Sequence, residues 1–259
     1  MRLASLGSGS KGNATLIRAG DTLVLVDCGF AVRETCERLA RLGLSPADLS
    51  AVVVTHEHGD HIRGVLPLAR RYHLPVHMTF GTLRAISAPN SRHSLEGVTV
   101  QEVRPGRAFS VGDLAVMPVP VPHDAREPCQ YVFESGGRRT GVLTDLGSIT
   151  THVTEAYSAC DALLLECNHD PAMLAAGPYP FSLKRRVGGD LGHLSNQQAG
   201  SLVRVLEQHR LQHLVLSHLS EQNNTPAHAL EAIAAAGLDD AARVRVACQQ
   251  QGFDWLEVN

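Results

Sequence analysis

Residues Thr55 to Gly64 read T-H-E-H-G-D-H-I-R-G and directly follow the apolar run Ala51-Val52-Val53-Val54. His56, Glu57, His58, Asp60 and His61 thus place three imidazoles and two carboxylates within six positions. A short β-branched run reads as a buried strand, and the Gly and polar residues after it read as the loop leaving its C-terminal end. In an extended loop His56 and His58 point the same way, so both can reach one ion. Asp60 and His61 then open the apolar-periodic segment Ile62, Val65, Leu66, Leu68, Ala69, which reads as a helix. Two adjacent ligands at a helix start can aim at a second ion beside the first. A lone histidine after a strand would signify little, but three with an aspartate point to metal.

The remainder of the chain is ordinary in composition. With 259 residues, 44% hydrophobic and 19% charged, it is long enough to bury a core, and it is read as a single domain over residues 1–259. The first residues, M-R-L-A-S-L-G-S-G-S-K-G-N, lack the apolar stretch of a signal peptide, and no segment approaches a membrane span, so a cytoplasmic protein without a membrane partner is expected. Six cysteines without a C-x-x-C pair read as free thiols. A formal charge of −3 means that any nucleic-acid contact must rest on a local basic patch.

Taken in order, Leu3 to Leu6 and Ala14 to Ile17 read as strands around Ser8 to Asn13. That segment fits a hairpin turn, or a nest in which backbone N–H groups with Ser10, Lys11 and Asn13 meet an anionic substrate. The strand Thr22 to Val26 ends in Asp27, either a plain strand-end residue or one orienting a metal-bound histidine from behind. A helix is expected from Val32 to Leu42. Alternating strands run from Val98 to Val121 around the turn Gly112-Asp113 and end at His123, placed to give the first ion a third ligand. Strands at Gln130 to Glu134 and Thr140 to Leu143 lead to Asp145, where a carboxylate can bridge two cations or cap the next helix. The buried run Ala162 to Leu165 ends at Glu166. Ser195 reads as the N-cap of a helix reaching about Gln208, and the strand Leu214 to Leu216 leads to His218. Strands in two blocks, each followed by helices, fit an α/β protein with two sheets sandwiched between helices and a site along one rim.

The H-x-H-x-D-H order of His56 to His61 resembles the signature of the metallo-β-lactamase fold superfamily. The resemblance implies that fold's four-layer αββα sandwich. Glu166, the G-H-L-S-N around His193 and the S-H-L-S around His218 are similar to the ribonuclease Z and related phosphodiesterase branch. S-L-G-S-G-S-K-G-N and L-S-H-L-S-E-Q-N-N-T-P bring the chain closer to the YycJ/WalJ group of small metallohydrolases. What this implies is a dinuclear phosphodiesterase acting on nucleic acid, in that group a DNA exonuclease, with a metal-bridging hydroxide as nucleophile. Carried onto this chain, His56, His58 and His123 hold one ion, Asp60, His61 and His218 the other, and Asp145 bridges them. Imidazole and carboxylate donors suit zinc or manganese. Asp60 also orients the hydroxide or takes its proton, and His193, held by Glu166, protonates the leaving oxygen. His169 competes with His193 for the Glu166 partnership, and Glu57 is a solvated or supporting group. Lys184, Arg185 and Arg186 form either a solvated basic run or contacts to the substrate backbone. The alternatives are a thioester hydrolase of the glyoxalase II type, or a non-catalytic regulatory partner that keeps the fold. Asp145 stands where β-lactam hydrolases usually carry cysteine, which disfavours that activity.

Overall fold

Two blocks of apolar strands each close their own sheet. The computed structural model describes all residues, 1–259. The first block comprises β1 (Arg2–Gly7), β2 (Ala14–Ala19), β3 (Thr22–Val26), α1 (Val32–Arg41), β4 (Ala51–Val53), α2 (Gly59–Ile62), α3 (Val65–Tyr72), β5 (Val76–Thr79), α4 (Phe80–Ile86) and β6 (Val100–Val103). The second comprises β7 (Phe109–Val111), β8 (Leu114–Pro120), β9 (Cys129–Ser135), β10 (Arg138–Leu143), α5 (Thr151–Tyr157), β11 (Ala162–Glu166), α6 (Pro171–Ala176), α7 (Phe181–Val187), α8 (Asn196–Val205), β12 (His213–Ser217), α9 (Pro226–Ala235) and β13 (Val244–Val246). A last strand, β14 (Phe253–Glu257), returns to pair with β1.

Each sheet has seven strands, in the orders β14-β1-β2-β3-β4-β5-β6 and β13-β12-β11-β10-β9-β8-β7. In both, an antiparallel part gives way at the central strand to a parallel part, β3 to β6 and β10 to β13. Parallel neighbours need crossovers, and the helices in those crossovers cover the outer faces. Alternation along the strands serves both faces. Val24 and Val26 join Val116, Phe133, Val142 and Val215 between the sheets, while Leu23 and Leu25 pack outward with Leu39, Leu66 and Leu68. The other outer face packs Leu163 and Leu165 with Tyr157, Leu202 and Ile233. The result is the four-layer αββα sandwich expected from the sequence.

Three local readings change. The single helix expected from Asp60 through Ala69 is two, α2 and α3, separated at Arg63-Gly64. Pro67 has no N–H to offer the Arg63 carbonyl, so a fresh start at Val65 puts it harmlessly in a first turn. The segment Val98 to Val103 does not pair across the Gly112-Asp113 turn. Its strand β6 lies beside β5 in the first sheet, and Phe109–Val111 supplies the hairpin partner of β8. The helix after Ser195 ends at Val205, three residues before Gln208, although Ser195 caps it reciprocally with Gln198 as read.

Close backbone packing sets the position of the histidine-rich loop. Gly64 N donates to Cys28 O at 2.7 Å, and Asn13 N donates to Asp60 O at 2.8 Å. A Cβ on Gly29 would lie 1.9 Å from Asp60 O, whereas one on Gly59 would meet nothing within 4 Å. Gly29→Ala should therefore cost about 1–3 kcal/mol or more, read as a lowered urea midpoint. Gly59→Ala, the comparison substitution, should leave the midpoint nearly unchanged.

Candidate metal centre and active-site cleft

Five histidines and two aspartates reach one rim of the sandwich from the ends of β4, β8, β10 and β12. The loop after β4 carries His56, His58, Asp60 and His61, and His123, Asp145 and His218 follow the other three strands. Donor atoms of His56, His58 and His123 lie within 4.8 Å of one another, as do those of Asp60, His61 and His218. Asp145 forms a third such group with His56 and His61. Its Oδ2 is 2.9 Å from His61 Nε2, and its Oδ1 lies 3.5 Å from His218 Nδ1 and 4.0 Å from His123 Nε2, so the carboxylate reaches residues of both sets.

The surroundings determine which ring nitrogens face inward. Thr55 Oγ1 donates to Asp27 Oδ2 (2.7 Å), so it accepts from His56 Nδ1 (2.9 Å). The same Asp27 oxygen is 2.8 Å from His61 Nδ1, Gly192 O accepts from His123 Nδ1 at 2.9 Å, and Glu166 Oε1 is 3.1 Å from His218 Nδ1. A neutral imidazole has one N–H, so each of these rings spends it outward and turns the lone pair of Nε2 inward. The centre is thus lined by acceptors: imidazole lone pairs plus the Asp60 and Asp145 carboxylates. His56 Nε2 and Asp145 Oδ2 are buried there without a hydrogen-bond partner. Orphaned acceptors facing one another are costly unless a cation joins them, and the donor set fits a divalent ion bound by nitrogen and oxygen.

Protons take the cation's place in the metal-free protein. Burial opposes charge on His61 and His218, but Asp145 and the neighbouring carboxylates outweigh it and raise both, His218 to about 10. His56 and His123 are pushed down by burial, so they are neutral at pH 7. Burial would raise Asp60 too, yet His61 and His218 hold it well below the carboxylate range.

Glu166 is fully buried at the end of β11, and it accepts from Leu146 N (2.8 Å) and Leu194 N (3.0 Å) through Oε2. Its Oε1 lies 2.7 Å from His193 Nδ1. Burial alone would raise Glu166, but the His193 charge and the bonds from His193 and His218 bring it down to about 2. In turn Glu166 outweighs burial at His193 and raises it. Nε2 of His193 is left for a cleft of about 320 Å3 that is also lined by His58, Asp60, Asp145 and His218. His169 has no bond to Glu166, so the G-H-L-S histidine is the partner. The basic run divides around α7. Arg186 lines the cleft, paired with Asp124, while Lys184 and Arg185 line the opposite side. Ser10 reaches the cleft wall, and Lys11 lies on an adjoining groove, ion-paired with Glu221 at 2.6 Å. Asn13 is buried beneath the wall, its amide shared among Gly9 O, Asp60 Oδ2 and His61, which makes it a support and not a surface for substrate. Asp145 does not cap the following helix. Thr150 does.

The sequence profile of the Beta-lactamase superfamily domain matches residues 22–219. The chain belongs to this superfamily. Among superfamily members it is 33% identical over 227 residues to exodeoxyribonuclease YycJ of Bacillus anthracis, covering 86% of this chain and 84% of that protein. Exodeoxyribonuclease WalJ of Streptococcus pneumoniae is 34% identical over 220 residues, covering 85% and 81%. The crystal structure of the metallo-β-lactamase fold protein YhfI from Bacillus subtilis superposes with a TM-score of 0.74 at 20% identity, over 98% of both chains. As a superfamily member with this His/Asp cluster, the chain is a metal-dependent hydrolase. No helix is long and apolar enough to cross a membrane.

The sequence reading missed two supports of the superfamily site. Glu166 holds His218 as well as His193, and the Gly192 carbonyl orients His123. Gly192 adjoins the G-H-L-S motif, but its reach across to His123 is a tertiary contact. Asp27 meets Thr55 N, Thr55 Oγ1 and His61 Nδ1 together. Asp27→Asn should keep the bond from Thr55 N and the left-handed backbone (φ 59°) but lose the acceptor shared by Thr55 Oγ1 and His61 Nδ1, weakening zinc binding to the metal-depleted protein by about 10–100-fold in calorimetric titration. Zinc uptake at pH 7 should also release protons, because His61 and His218 must lose theirs. Apparent affinity should consequently fall as pH is lowered, read from titrations in buffers of different ionisation enthalpy.

Proposed function

We propose that this hydrolase is a dinuclear metal-dependent phosphodiesterase that cleaves nucleic acid, with DNA the first substrate to test. His56, His58 and His123 would hold one ion and Asp60, His61 and His218 the other, with Asp145 in reach of both sets. Two bound divalent ions, zinc or manganese, supply Lewis acidity to the phosphate and lower the pKa of the attacking water. The observation that carries the reading is the buried Glu166–His193 pair, at 2.7 Å, on the wall of the cleft. An alkoxide leaving from a phosphodiester needs a proton, and a histidine held protonated by a buried carboxylate provides one. The relatives named as exodeoxyribonucleases support the same substrate class.

The chain's residues divide the work. Asp60, whose Oδ2 lies 3.4 Å from both His61 Nε2 and His218 Nε2, orients the attacking water and takes its proton. His193 Nε2–H delivers a proton to the leaving oxygen as the phosphorus–oxygen bond breaks, and Glu166 stabilises the imidazolium until then. Arg186, held over the cleft by Asp124, contributes positive charge to the phosphate without reading its base.

His193→Ala should lower hydrolysis of end-labelled DNA by about 10²–10⁴-fold while bound zinc, measured by atomic absorption, stays unchanged. Bis(p-nitrophenyl) phosphate and end-labelled single- and double-stranded DNA and RNA, each with zinc or manganese, form the assay panel, and the product ladder gives polarity. A wild-type protein that binds metal but cleaves none of these, and instead hydrolyses an acyl-glutathione thioester, would sink the phosphodiesterase reading.

A further inference from the structure

Helix α7 is a partition. Leu183, Arg186 and Val187 line the cleft on one side, and Phe181, Lys184, Arg185 and Gly188 line a second cavity of about 650 Å3 on the other. The two spaces are separated by roughly one helix diameter, ~10 Å.

Its lining is specific in chemistry. Phe181 is 75% exposed, a large apolar ring with one face unpacked, and Arg185 lies over it at 5.9 Å. Leu174, Ala175 and Pro171 give the rest of the apolar wall. His169 is 97% buried and forms no side-chain hydrogen bond, and its Nδ1 is sealed from solvent without a partner. A buried unpaired N–H would be costly, so the proton belongs on Nε2. A Cβ on Gly188 would come 3.9 Å from that Nε2 and 3.4 Å from Leu174, so glycine keeps the approach to His169 open. No carboxylate lines the cavity, while Lys184 and Arg185 give it positive charge. A flat ring, an unmet donor at the back and cations at the rim suit a planar heterocycle with acceptors on its edge and a phosphate attached.

We infer that this cavity seats a nucleobase of the polynucleotide strand whose phosphodiester lies beside His193, stacked on Phe181, with its edge accepting from His169 Nε2–H. The inference rests on the phosphodiesterase reading and adds a base-binding subsite to it. The strand crosses α7 with Arg186 on the cleft side and Lys184 and Arg185 on the cavity side, so each bank contacts its backbone. Stacking accepts any base, so the subsite gives grip on unpaired strand and little sequence preference.

The test uses the metal-loaded protein and single-stranded phosphorothioate decamers, each with 2-aminopurine at one position. Wild type should quench at least one of these positions on binding. Phe181→Ala should lose that quenching and bind about 5–100-fold more weakly, Phe181→Trp should restore both, and His169→Ala should weaken binding of the same decamer. Bound zinc, measured by atomic absorption, should be the same in Phe181→Ala as in wild type, since Phe181 lies across α7 from the cleft. Decamer binding that is equal in wild type and Phe181→Ala, or absent from wild type while bis(p-nitrophenyl) phosphate is still cleaved, would overturn the subsite and leave the phosphodiesterase reading standing. Binding that depends on Phe181 in a protein cleaving no phosphodiester would keep the subsite and remove that reading. Deoxyadenosine monophosphate binding as tightly as the decamer would overturn the strand assignment in favour of a free nucleotide.

Discussion

Each inward-facing histidine with a defined outer partner gives its single N–H away from the centre, and the site depends on that constraint. Asp27 and Thr55 hold His61 and His56, Gly192 O holds His123, and Glu166 holds His218. A free imidazole can turn either nitrogen inward. Fixed rings cannot, so lone pairs and two carboxylates converge, with the Asn13 amide donating at their edge. Such a cluster, with two carboxylates among neutral imidazoles, holds uncompensated negative charge and resolves in one of two ways. Without metal, protons settle on His61 and His218, and with it the cations replace them. The outer partners therefore set metal affinity without touching an ion.

The same constraint explains the unusual backbone at the strand ends. Asp27, Asp145 and His218 all have positive φ, at 59°, 53° and 55°, which a non-glycine residue adopts at a cost of about 1–2 kcal/mol. Asp27 follows β3 and Asp145 follows β10, the central strand of its sheet in each case, where antiparallel pairing passes to parallel. The two sheets are thus built alike, but the acids after their central strands are used differently. Asp27 holds His61 from behind, whereas Asp145 faces the cluster itself. Burial of both sheets between helices is what keeps three strained residues in place at one rim.

The sequence made the centre more legible than its surroundings for a physical reason. His56 to His61 are adjacent and their order follows from a strand running into a loop, so a local pattern carries most of the information. His123, Asp145, Glu166 and His218 each stand just past an apolar run, a position that can be read one strand at a time. Which sheet a strand joins is a different matter. The segment Val98 to Val103 has the alternation of its neighbours, yet only the long-range pairing of β6 with β5 puts it in the first sheet. Helices α4, α6 and α7 are six or seven residues long, too short for a clear apolar stripe, and α7 has no buried residue at all. The basic run Lys184 to Arg186 could therefore be read for charge but not for face, and the face decides which residue meets the cleft. Asn13 illustrates the converse, since a polar residue in a glycine-rich turn signals exposure, but the turn folds inward over Asp60.

Glu166 joins two tasks that could have been separate. One oxygen, Oε1, contacts both His193 at 2.7 Å and His218 at 3.1 Å, and Asp145 Oδ1 lies 3.3 Å from the first and 3.5 Å from the second. His193 and His218 consequently share their counter-charge. In the metal-free protein both rings are driven toward the protonated state by these two carboxylates. Through this one shared oxygen the His193 and His218 rings are tied to a single counter-charge, which a carboxylate at position 166 supplies and an amide would not.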